Sequence, residues 1–318
     1  MKDSKESYDF SIITPVFNGE HWISKTIESV LQTCADFNYE YIVINDGSVD
    51  GTKEILSAYS TKVKIVHQEN QGEAASVNNG LNLAQGKYII VVSADDPMRS
   101  SELLRLAKEI LESDQKIVCV YPSWSVIDGN EEILRNVEVE DYSEHALVGE
   151  FKCLVGPGGA FRRESALQIG GRRKHLRFTS DYDFWLRLSR LGSFQRIPGY
   201  LAYWREHEAS TSIAYRGVEM ANERILVMQE FLKLNPQIPK KVKKNAMSNA
   251  YYQAALLVYF DPKIPAKRLI AKALVARPSN LFSFQKRVLA YISLTPFSKR
   301  LLKMLRNLGL FRKMTAND

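Results

Sequence analysis

Apolar residues follow two alternating spacings in roughly the first 120 residues of the chain. Short, nearly continuous apolar runs are typical of strands buried on both faces, and apolar residues three or four positions apart are typical of amphipathic helices. Strands and helices that alternate in this way predict an α/β fold with a doubly wound, largely parallel sheet. The strands are predicted at residues 10–16, 39–45, 63–67, 87–93 and 117–121, and the helices near 23–31, 50–59, 72–84 and 100–111. Gly86 is expected to end the third helix as a C′ glycine.

The pattern is less regular between residue 122 and residue 214, and it becomes helical from Tyr215 onward, with interruptions at six prolines. We therefore predict two domains, an α/β domain over residues 1–213 and a helical region over residues 214–318. The smaller features of the irregular part are a glycine-rich loop at 156–159, a basic turn at 172–174, a helix at 181–191 and strands at 194–197 and 201–204.

Charge is distributed unevenly along the chain. The 318 residues, 45% of them hydrophobic and 25% charged, are typical of a globular protein, and the formal net charge is +7. Residues 1–238 carry 26 Lys and Arg against 34 Asp and Glu, whereas residues 239–318 carry 17 against 2. The positive excess therefore belongs to the C-terminal part, and it needs a different explanation from the acidic body.

Residues 297–314 have apolar side chains at helical spacing, with Lys299, Lys303, Arg306 and Lys313 mostly on the opposite side. A basic amphipathic helix of this kind suits an anionic membrane surface, and it equally suits packing against the acidic body. The pattern leaves both alternatives open. A nucleic-acid-binding module is a further alternative for this region. Nucleic acid is nevertheless not expected as a partner, because the region lacks aromatics at the spacing of RNA-binding modules and lacks a DNA-binding motif.

The cysteines and the apolar runs bear on the compartment. Cys34, Cys119 and Cys153 are odd in number and widely spaced, which argues against a disulfide framework or a zinc site. Residues 1–9 are polar, unlike a secretory signal, and no apolar run reaches the roughly 18 residues of a membrane-spanning helix. We expect a cytoplasmic protein, either free or peripheral on the cytosolic face of the membrane.

Polar residues follow three of the predicted strands, at 14–18, 45–48 and 93–96. The carboxyl ends of parallel strands meet at one edge of a sheet, where ligands of doubly wound folds bind. A nicotinamide-dinucleotide fold and a P-loop are both disfavoured, since the sequence lacks G-x-G-x-x-G after the first strand and lacks G-x-x-x-x-G-K-[ST].

Each of these polar residues has a structural alternative when it is taken alone. The pair Asp95-Asp96 suits a divalent cation but also a turn, and Asp46 suits a nucleotide contact but also an Asx-turn. Phe17 could stack on a base or pack on the sheet edge. Asp181 could act as a general base or cap a helix. An isolated histidine such as His207 is more often structural than a ligand.

Six segments occur in a consistent order and resemble the family-2 inverting glycosyltransferases, which have the GT-A fold, a Rossmann-like, mainly parallel sheet flanked by helices. The resemblance covers roughly residues 8–212, about two-thirds of the chain. The segments are 11–18, 45–52, 70–72 with 78–80, 93–96, 161–163 before 170–171, and 180–187.

The resemblance implies transfer of a sugar from a nucleoside-diphosphate sugar, with UDP favoured, to a saccharide or lipid-linked saccharide, in the synthesis of a cell-surface polysaccharide. It implies that Asp181 is the general base and that Asp95 and His207 bind Mn²⁺ or Mg²⁺. The donor-binding residues that it implies are Thr14, Pro15, Phe17, Asp46, Gly72, Asn78, Asp95 and Arg205.

Two positions depart from the family pattern. The Asp-X-Asp metal motif reads Ser93-Ala94-Asp95, and the acidic residue usually found before the general base is Ser180. Ser93 keeps a non-catalytic nucleotide-sugar-binding protein open as an alternative. A nucleotidyltransferase has the same type of sheet but usually a glycine- and arginine-rich loop after the first strand, which residues 17–20 do not resemble.

Overall fold

The computed structural model describes residues 8–207, 217–258 and 266–277. Within these ranges the chain forms two compact units. Residues 8–142 and 153–207 make up the first unit, and residues 143–152, 217–258 and 266–277 make up the second. The domain boundary after residue 213 stays a prediction.

The first unit is built on a mixed, mostly parallel sheet of eight strands in the order β3-β2-β1-β4-β7-β5-β6, with β8 paired to β5. β1 lies parallel to β2 and β4, β2 parallel to β3, and β5 parallel to β8, whereas β7 runs antiparallel to both of its neighbours and β6 runs antiparallel to β5. The carboxyl ends of β1, β2, β4, β5 and β8 therefore share one edge. The strands are β1 Phe10–Val16, β2 Tyr39–Asp46, β3 Lys64–Gln68, β4 Tyr88–Val91, β5 Ile117–Ile127, β6 Ile133–Val137, β7 Ala160–Arg162 and β8 Ser193–Arg205.

Helices flank this sheet, and their apolar stripes complete the core. Leu103, Leu104, Ala107 and Leu111 recur at helical spacing on α4 and are fully or almost fully buried. The helix begins after Ser100, whose side chain accepts a hydrogen bond from Glu102 N at 3.2 Å. The helices of the first unit are α1 Ile23–Thr33, α2 Thr52–Ser57, α3 Glu73–Leu83, α4 Ser101–Ser113, α5 Arg163–Gln168 and α6 Ser180–Leu188.

The α/β fold expected from the apolar pattern is confirmed, and the differences in the strands lie after β4. β6 was missed because most of its residues are exposed, and β7 because it has only three residues. The two short strands expected at 194–197 and 201–204 are one strand, β8, which passes through Gly199 at φ 97° with a shift of register against β5. A break in the apolar pattern therefore marked a bulge rather than the end of a strand.

Gly86 does not act as a C′ glycine. The backbone of α3 leaves the helix at Ala84 in an extended conformation, with φ −64° and ψ 142°. A Cβ on Gly86 would lie 2.5 Å from the carbonyl carbon of Phe10 and from the nitrogen of Ser11. The glycine is needed there because the chain passes very close to β1.

The second unit consists of helices, with a short π-helical turn at His145–Gly149. Small residues such as Ala221, Ala254 and Ala255 form its core with Val258, Leu269 and Ile270, so the helices approach closely. The helices are α7 Val218–Leu234, α8 Lys240–Leu257 and α9 Ala266–Ala276. None of the helices in the described ranges combines the length and apolar character needed to cross a bilayer. The amphipathic pattern at 297–314 lies outside the described residues.

Candidate functional site

The loops after β1 and β2 form a rim at the carboxyl edge of the sheet, and we call residues 17–20, 46–52 and 68–72 the β1–β2 rim. Asn18 N donates to Ser48 Oγ, and Val49 N donates to Asn18 Oδ1, both at 2.9 Å. These reciprocal bonds hold the two loops together and leave Phe17 with half of its surface exposed. Pro15, directly before this loop, is half-buried.

Asp46 organises the third part of the rim. The residue is 3% exposed, and its Oδ1 accepts hydrogen bonds from Gln68 Nε2 at 2.7 Å and from Gln71 N at 2.9 Å. Its Oδ2 accepts from Gly72 N at 2.8 Å, and Gly72 has φ 88°, a left-handed conformation that favours glycine. Asp46 therefore fixes the loop that leads into α3.

Two of the residues predicted to bind the donor are engaged inside the protein. Thr14 is fully buried and its hydroxyl pairs with Tyr41 Oη at 3.0 Å, so it has no surface for a ligand and the prediction for Thr14 is corrected. Asn78 Nδ2 donates to Arg172 O and Asn78 Oδ1 accepts from Arg172 N, both at 2.7 Å. Asn78 thereby sets the position of Arg172.

Asp95 and His207 meet beyond β4, although they are 112 positions apart in the sequence. His207 Nε2 lies 2.9 Å from Asp95 Oδ2, and the side chains keep 21% and 30% of their surface exposed. The structure thus brings together the two residues predicted to bind a metal ion. No cluster of three or more His, Cys, Asp or Glu side chains suited to a metal occurs within the described residues.

Arg205 lies behind this pair and faces the protein. Its side chain is 1% exposed, and it donates from Nε to Asp95 O and from Nη1 to Asp128 O, both at 2.8 Å. Its guanidinium also lies 4.4 Å from the ring centroid of Trp22. The prediction that Arg205 contacts the ligand directly is therefore corrected. Arg205 instead positions the main chain of Asp95.

Asp96 is a buried part of the same arrangement. Its Oδ1 accepts from Arg205 N at 2.7 Å, and its carboxyl group also has a hydrogen bond with Ser93. Burial, with the neighbouring charge of Asp95, raises the pKa of Asp96 well above its usual range, although Arg205 and Ser93 act in the opposite direction. Asp96 and the substituted Ser93 therefore hold the loop that carries Asp95.

α6 presents Asp181 in its first turn, and aromatic packing fixes the helix. The rings of Phe161 on β7 and Phe184 on α6 have centroids 5.1 Å apart, and Phe161 and Trp185 have centroids 5.5 Å apart, both in T-shaped geometry. Asp183 points into the protein and pairs with Arg187, with Oδ2 and Nη2 2.7 Å apart. Of the two acidic residues in this turn, Asp183 is therefore structural.

Asp181 is half-buried, and its Oδ1 accepts a hydrogen bond from Tyr182 N at 2.7 Å. Burial is the main cause that raises the pKa of Asp181 above its usual value, and the charge of Glu73 adds to it. Arg172 and the N–H of Tyr182 act in the opposite direction. A carboxylate whose pKa is raised in this way is better suited to accept a proton than an ordinary exposed aspartate.

One cavity of about 300 Å³ joins these groups, and we call it the central cavity. Asp95 and Asp181 both line it, together with Trp185 and Trp204. The glycine-rich loop at 156–159 forms another part of the wall. Gly158 has φ 78°, and a Cβ there would lie 3.0 Å from Ala202 and from Leu103, so a larger residue would displace this wall.

The charged residues Glu73, Arg99 and Arg172 also line the central cavity and were not predicted. Arg172 Nη1 lies 2.6 Å from Glu73 Oε1. The basic turn at 172–174 was a visible signal, but nothing in the sequence linked it to Glu73, which lies 99 positions earlier. Arg99 follows Asp96 by three positions and carries no signal of its own.

Comparisons with known proteins agree with this fold. The family model for glycosyl transferase family 2 matches residues 11–170. An uncharacterized glycosyltransferase of Rickettsia typhi is 30% identical over an alignment of 224 residues that covers 67% of this chain and 68% of the relative.

Two solved structures share the fold at low sequence identity. The crystal structure of S. aureus TarS 1–349 matches with a TM-score of 0.65 and 17% identity over 90% of this chain and 86% of that one. The same TarS fragment has been crystallised in complex with UDP-GlcNAc. The mannosyltransferase PcManGT from Pyrobaculum calidifontis, in complex with GDP-Man and Mn²⁺, matches with a TM-score of 0.54 and 14% identity over 91% of this chain and 85% of that one.

The family match spans half of the chain and the relative matches over two-thirds of its own length, so both go beyond a shared fold. The chain belongs to glycosyl transferase family 2 and is a glycosyltransferase with the GT-A fold.

Proposed function

We propose that the protein transfers a sugar from a nucleoside-diphosphate sugar, with UDP favoured, to a hydroxyl group of a saccharide or lipid-linked saccharide, with inversion at the anomeric carbon. The observation that carries this proposal is that Asp95 and Asp181 line one cavity. Inversion needs a base on one side of the reacting carbon and a departing diphosphate on the other. Asp181 would supply the base, and Asp95 would hold the metal ion beside the departing diphosphate.

The β1–β2 rim is the proposed nucleotide site, at the same carboxyl edge of the sheet as Asp95. Phe17 offers an exposed aromatic face for a base, and the loop that Asp46 fixes presents Gly72 at the start of α3. Nucleotide sugars are bound by two proteins with this fold, UDP-GlcNAc by TarS and GDP-Man by PcManGT. Pro15 and Asn78 complete the proposed donor side, Asn78 through its bonds to Arg172.

Asp95 and His207 fit a divalent cation by their chemistry, since a carboxylate oxygen and an imidazole nitrogen are both ligands of Mn²⁺. Mg²⁺ and similar ions commonly take one or two protein ligands and complete their shell with phosphate oxygens and water. A bound Mn²⁺ or Mg²⁺ supplies positive charge beside the diphosphate leaving group. Arg205 and Asp96 keep the loop of Asp95 in place for this purpose.

Asp181 is the proposed general base. Its carboxylate accepts the proton of the acceptor hydroxyl as the bond to the anomeric carbon forms, and the nucleoside diphosphate leaves from the opposite face. The raised pKa of Asp181 supports this role, because it brings the proton affinity of the carboxylate closer to that required near neutral pH.

Thermal unfolding with a panel of nucleotides tests the donor site. We expect UDP or a UDP-sugar to raise the Tm in the presence of Mn²⁺, because a ligand that binds the folded state stabilises it by mass action. Asp95→Asn should weaken the stabilisation by Mn²⁺ and UDP together, whereas Asp36→Asn, on an exposed loop, should not. If no nucleoside diphosphate or nucleotide sugar shifts the melting curve, the proposal is wrong.

A further inference from the structure

Arg99 stands at the wall of the central cavity in a fixed orientation. Its Nη1 donates to Ser125 Oγ at 2.5 Å, and its guanidinium lies 4.7 Å from the ring centroid of Tyr203. Ser125 is fully buried and its hydroxyl donates to Asn136 Oδ1 at 2.7 Å, so its oxygen is left to accept from Arg99. The arginine is therefore held from β5 and from β8.

This support engages Nη1 and the face of the guanidinium, but not the edge formed by Nε and Nη2. Among the residues that the structure describes, none accepts a hydrogen bond from these two nitrogens, and none places a carboxylate within ion-pair distance of Arg99. Neither nitrogen is sealed from solvent. Elsewhere in this protein the same edge of an arginine binds a carboxylate. Nε and Nη2 of Arg105 donate to the two oxygens of Glu102, at 2.8 and 2.6 Å.

The other charged groups of the cavity interact within the protein. Arg172 pairs with Glu73, Asp95 with His207, and Asp96 accepts from Arg205 N. Asp181 accepts from Tyr182 N, and the guanidinium of Arg177 lies 5.2 Å from the ring centroid of Phe178. Arg99 is therefore a preorganised cation whose charge the described side chains do not balance. A guanidinium edge of this kind matches the geometry of a carboxylate or a phosphate.

The position of Arg99 in the sheet indicates which substrate would carry the anion. The proposed nucleoside site lies at β1 and β2, and Asp95 follows β4, the next strand across the sheet. Arg99 is fixed to β5 and β8, further across in the same direction. It also shares the cavity with Asp181, which must contact the acceptor hydroxyl if it is the base.

We propose that the Nε and Nη2 edge of Arg99 binds an anionic group, a phosphate or a carboxylate, carried by the acceptor. The proposal rests on the proposed function, because the acceptor side of the cavity is defined by the role of Asp181. It names a class of acceptor: a saccharide with a negative charge near the hydroxyl that receives the sugar. Neutral saccharides would leave the edge of Arg99 without a partner in a half-buried position.

Binding of three small probes tests the proposal without knowledge of the natural acceptor. Glucose 6-phosphate, glucuronate and glucose are titrated into the full chain by calorimetry, first alone and then with saturating UDP and Mn²⁺. We expect glucose 6-phosphate or glucuronate to bind about tenfold or more tightly than glucose, and to do so equally well when UDP is present. The anion that binds more tightly identifies the source of the charge as phosphate or carboxylate.

Variants assign the binding to Arg99. Arg99→Gln should reduce the preference for the charged probe to less than about twofold, and Arg99→Lys should retain only part of it because an ammonium lacks the bidentate edge. Arg105→Gln, an exposed arginine of α4, is the matched control and should leave the preference unchanged. Melting curves of all variants with and without UDP show whether the fold and the donor site are intact.

Three results would overturn the proposal. Equal binding of charged and neutral probes would mean that Arg99 is structural. Competition between UDP and glucose 6-phosphate would assign the edge of Arg99 to the donor diphosphate. An unchanged preference in Arg99→Gln would place the anion elsewhere. If the proposed function itself is wrong, no nucleotide will raise the Tm. The probe titrations without UDP still test anion binding by Arg99 in that case.

Discussion

The β1–β2 rim and the central cavity hold their carboxylates in opposite ways. In the rim, Asp50 accepts from Thr52 N at 3.1 Å, from Thr52 Oγ1 at 2.5 Å and from Glu20 N at 3.1 Å. Burial alone would raise the pKa of Asp50, but these hydrogen bonds outweigh it and lower the pKa below its usual value. In the cavity, burial dominates and the pKa of Asp181 is raised. One carboxylate is stabilised as an anion and the other is not.

The difference separates carboxylates that hold loops in place from the carboxylate proposed to react. The carboxylate oxygens of Asp46 and Asp50 accept hydrogen bonds from backbone N–H groups. The two residues therefore stabilise loops, and few of their lone pairs remain to accept a proton. The raised pKa of Asp181 means that its carboxylate binds a proton more tightly in the folded state than in the unfolded state. Ionisation of Asp181 therefore destabilises the folded protein. Sequence motifs do not distinguish the two cases, since all three are aspartates at element ends.

The largest effect is expected for Asp181→Asn. Loss of a general base should lower kcat for transfer by about 10²- to 10⁴-fold, while UDP should stabilise the variant as it stabilises the wild type. The Tm without ligand should not fall, because the variant removes a carboxylate whose ionisation disfavours folding. Steady-state kinetics and melting curves measure the two effects, with Asp36→Asn as the control. Transfer within about tenfold of the wild type would remove Asp181 from the role of base.

Arg205→Met tests whether the support behind Asp95 is structural. Methionine has a similar length but donates no hydrogen bonds, so the carbonyl groups of Asp95 and Asp128 lose their partners. We expect the free energy of unfolding to fall by about 3 kcal/mol and stabilisation by Mn²⁺ with UDP to weaken. Denaturant titration gives the first quantity and metal-dependent melting gives the second. Unchanged stability would contradict a positioning role for Arg205.

Asp46→Asn tests the saturated carboxylate of the rim. The amide group has one acceptor oxygen in place of two, so either Gly72 N or the donors from Gln68 and Gln71 lose a partner. The free energy of unfolding should fall by about 1–3 kcal/mol, and UDP should bind less tightly because the loop shifts. A lower kcat with normal stability and normal UDP binding would mean that Asp46 takes part in the reaction and is not only structural.

The smallest effects are shifts of the pH profile. A general base acts as the anion, so with Asp181 in the proposed role kcat should fall as the pH decreases through its raised pKa. Arg172→Met should move this acid limb to higher pH, because Arg172 lowers the pKa of Asp181, and Glu73→Gln should move it to lower pH, because Glu73 raises that pKa. The expected shifts are about one pH unit or less. Shifts in the same direction for both variants would show that the limb belongs to another group.

The sequence predicted the parallel half of the sheet well, because strands such as β1 and β4 are continuous apolar runs with helices between them. It also predicted that Asp95, Asp181 and His207 belong to one site. That prediction came from the ordered set of motifs, because each residue taken alone had a structural alternative. The sequence did not predict the role of Arg205 or Arg99, because their hydrogen-bond partners are distant in the sequence and such contacts produce no periodic pattern. Thr14 was misassigned because a motif position does not reveal that its side chain faces the core.

Hydrolysis of a donor tests, without a known acceptor, whether the cavity lined by Asp95 and Asp181 carries out inverting transfer. An α-linked UDP-sugar such as UDP-GlcNAc is incubated with the protein and Mn²⁺, and the released sugar is followed by proton NMR before it mutarotates. With inversion and Asp181 as the base, the β-anomer forms first and Asp181→Asn abolishes its formation. Initial release of the α-anomer, or equal release by Asp181→Asn, would exclude this mechanism.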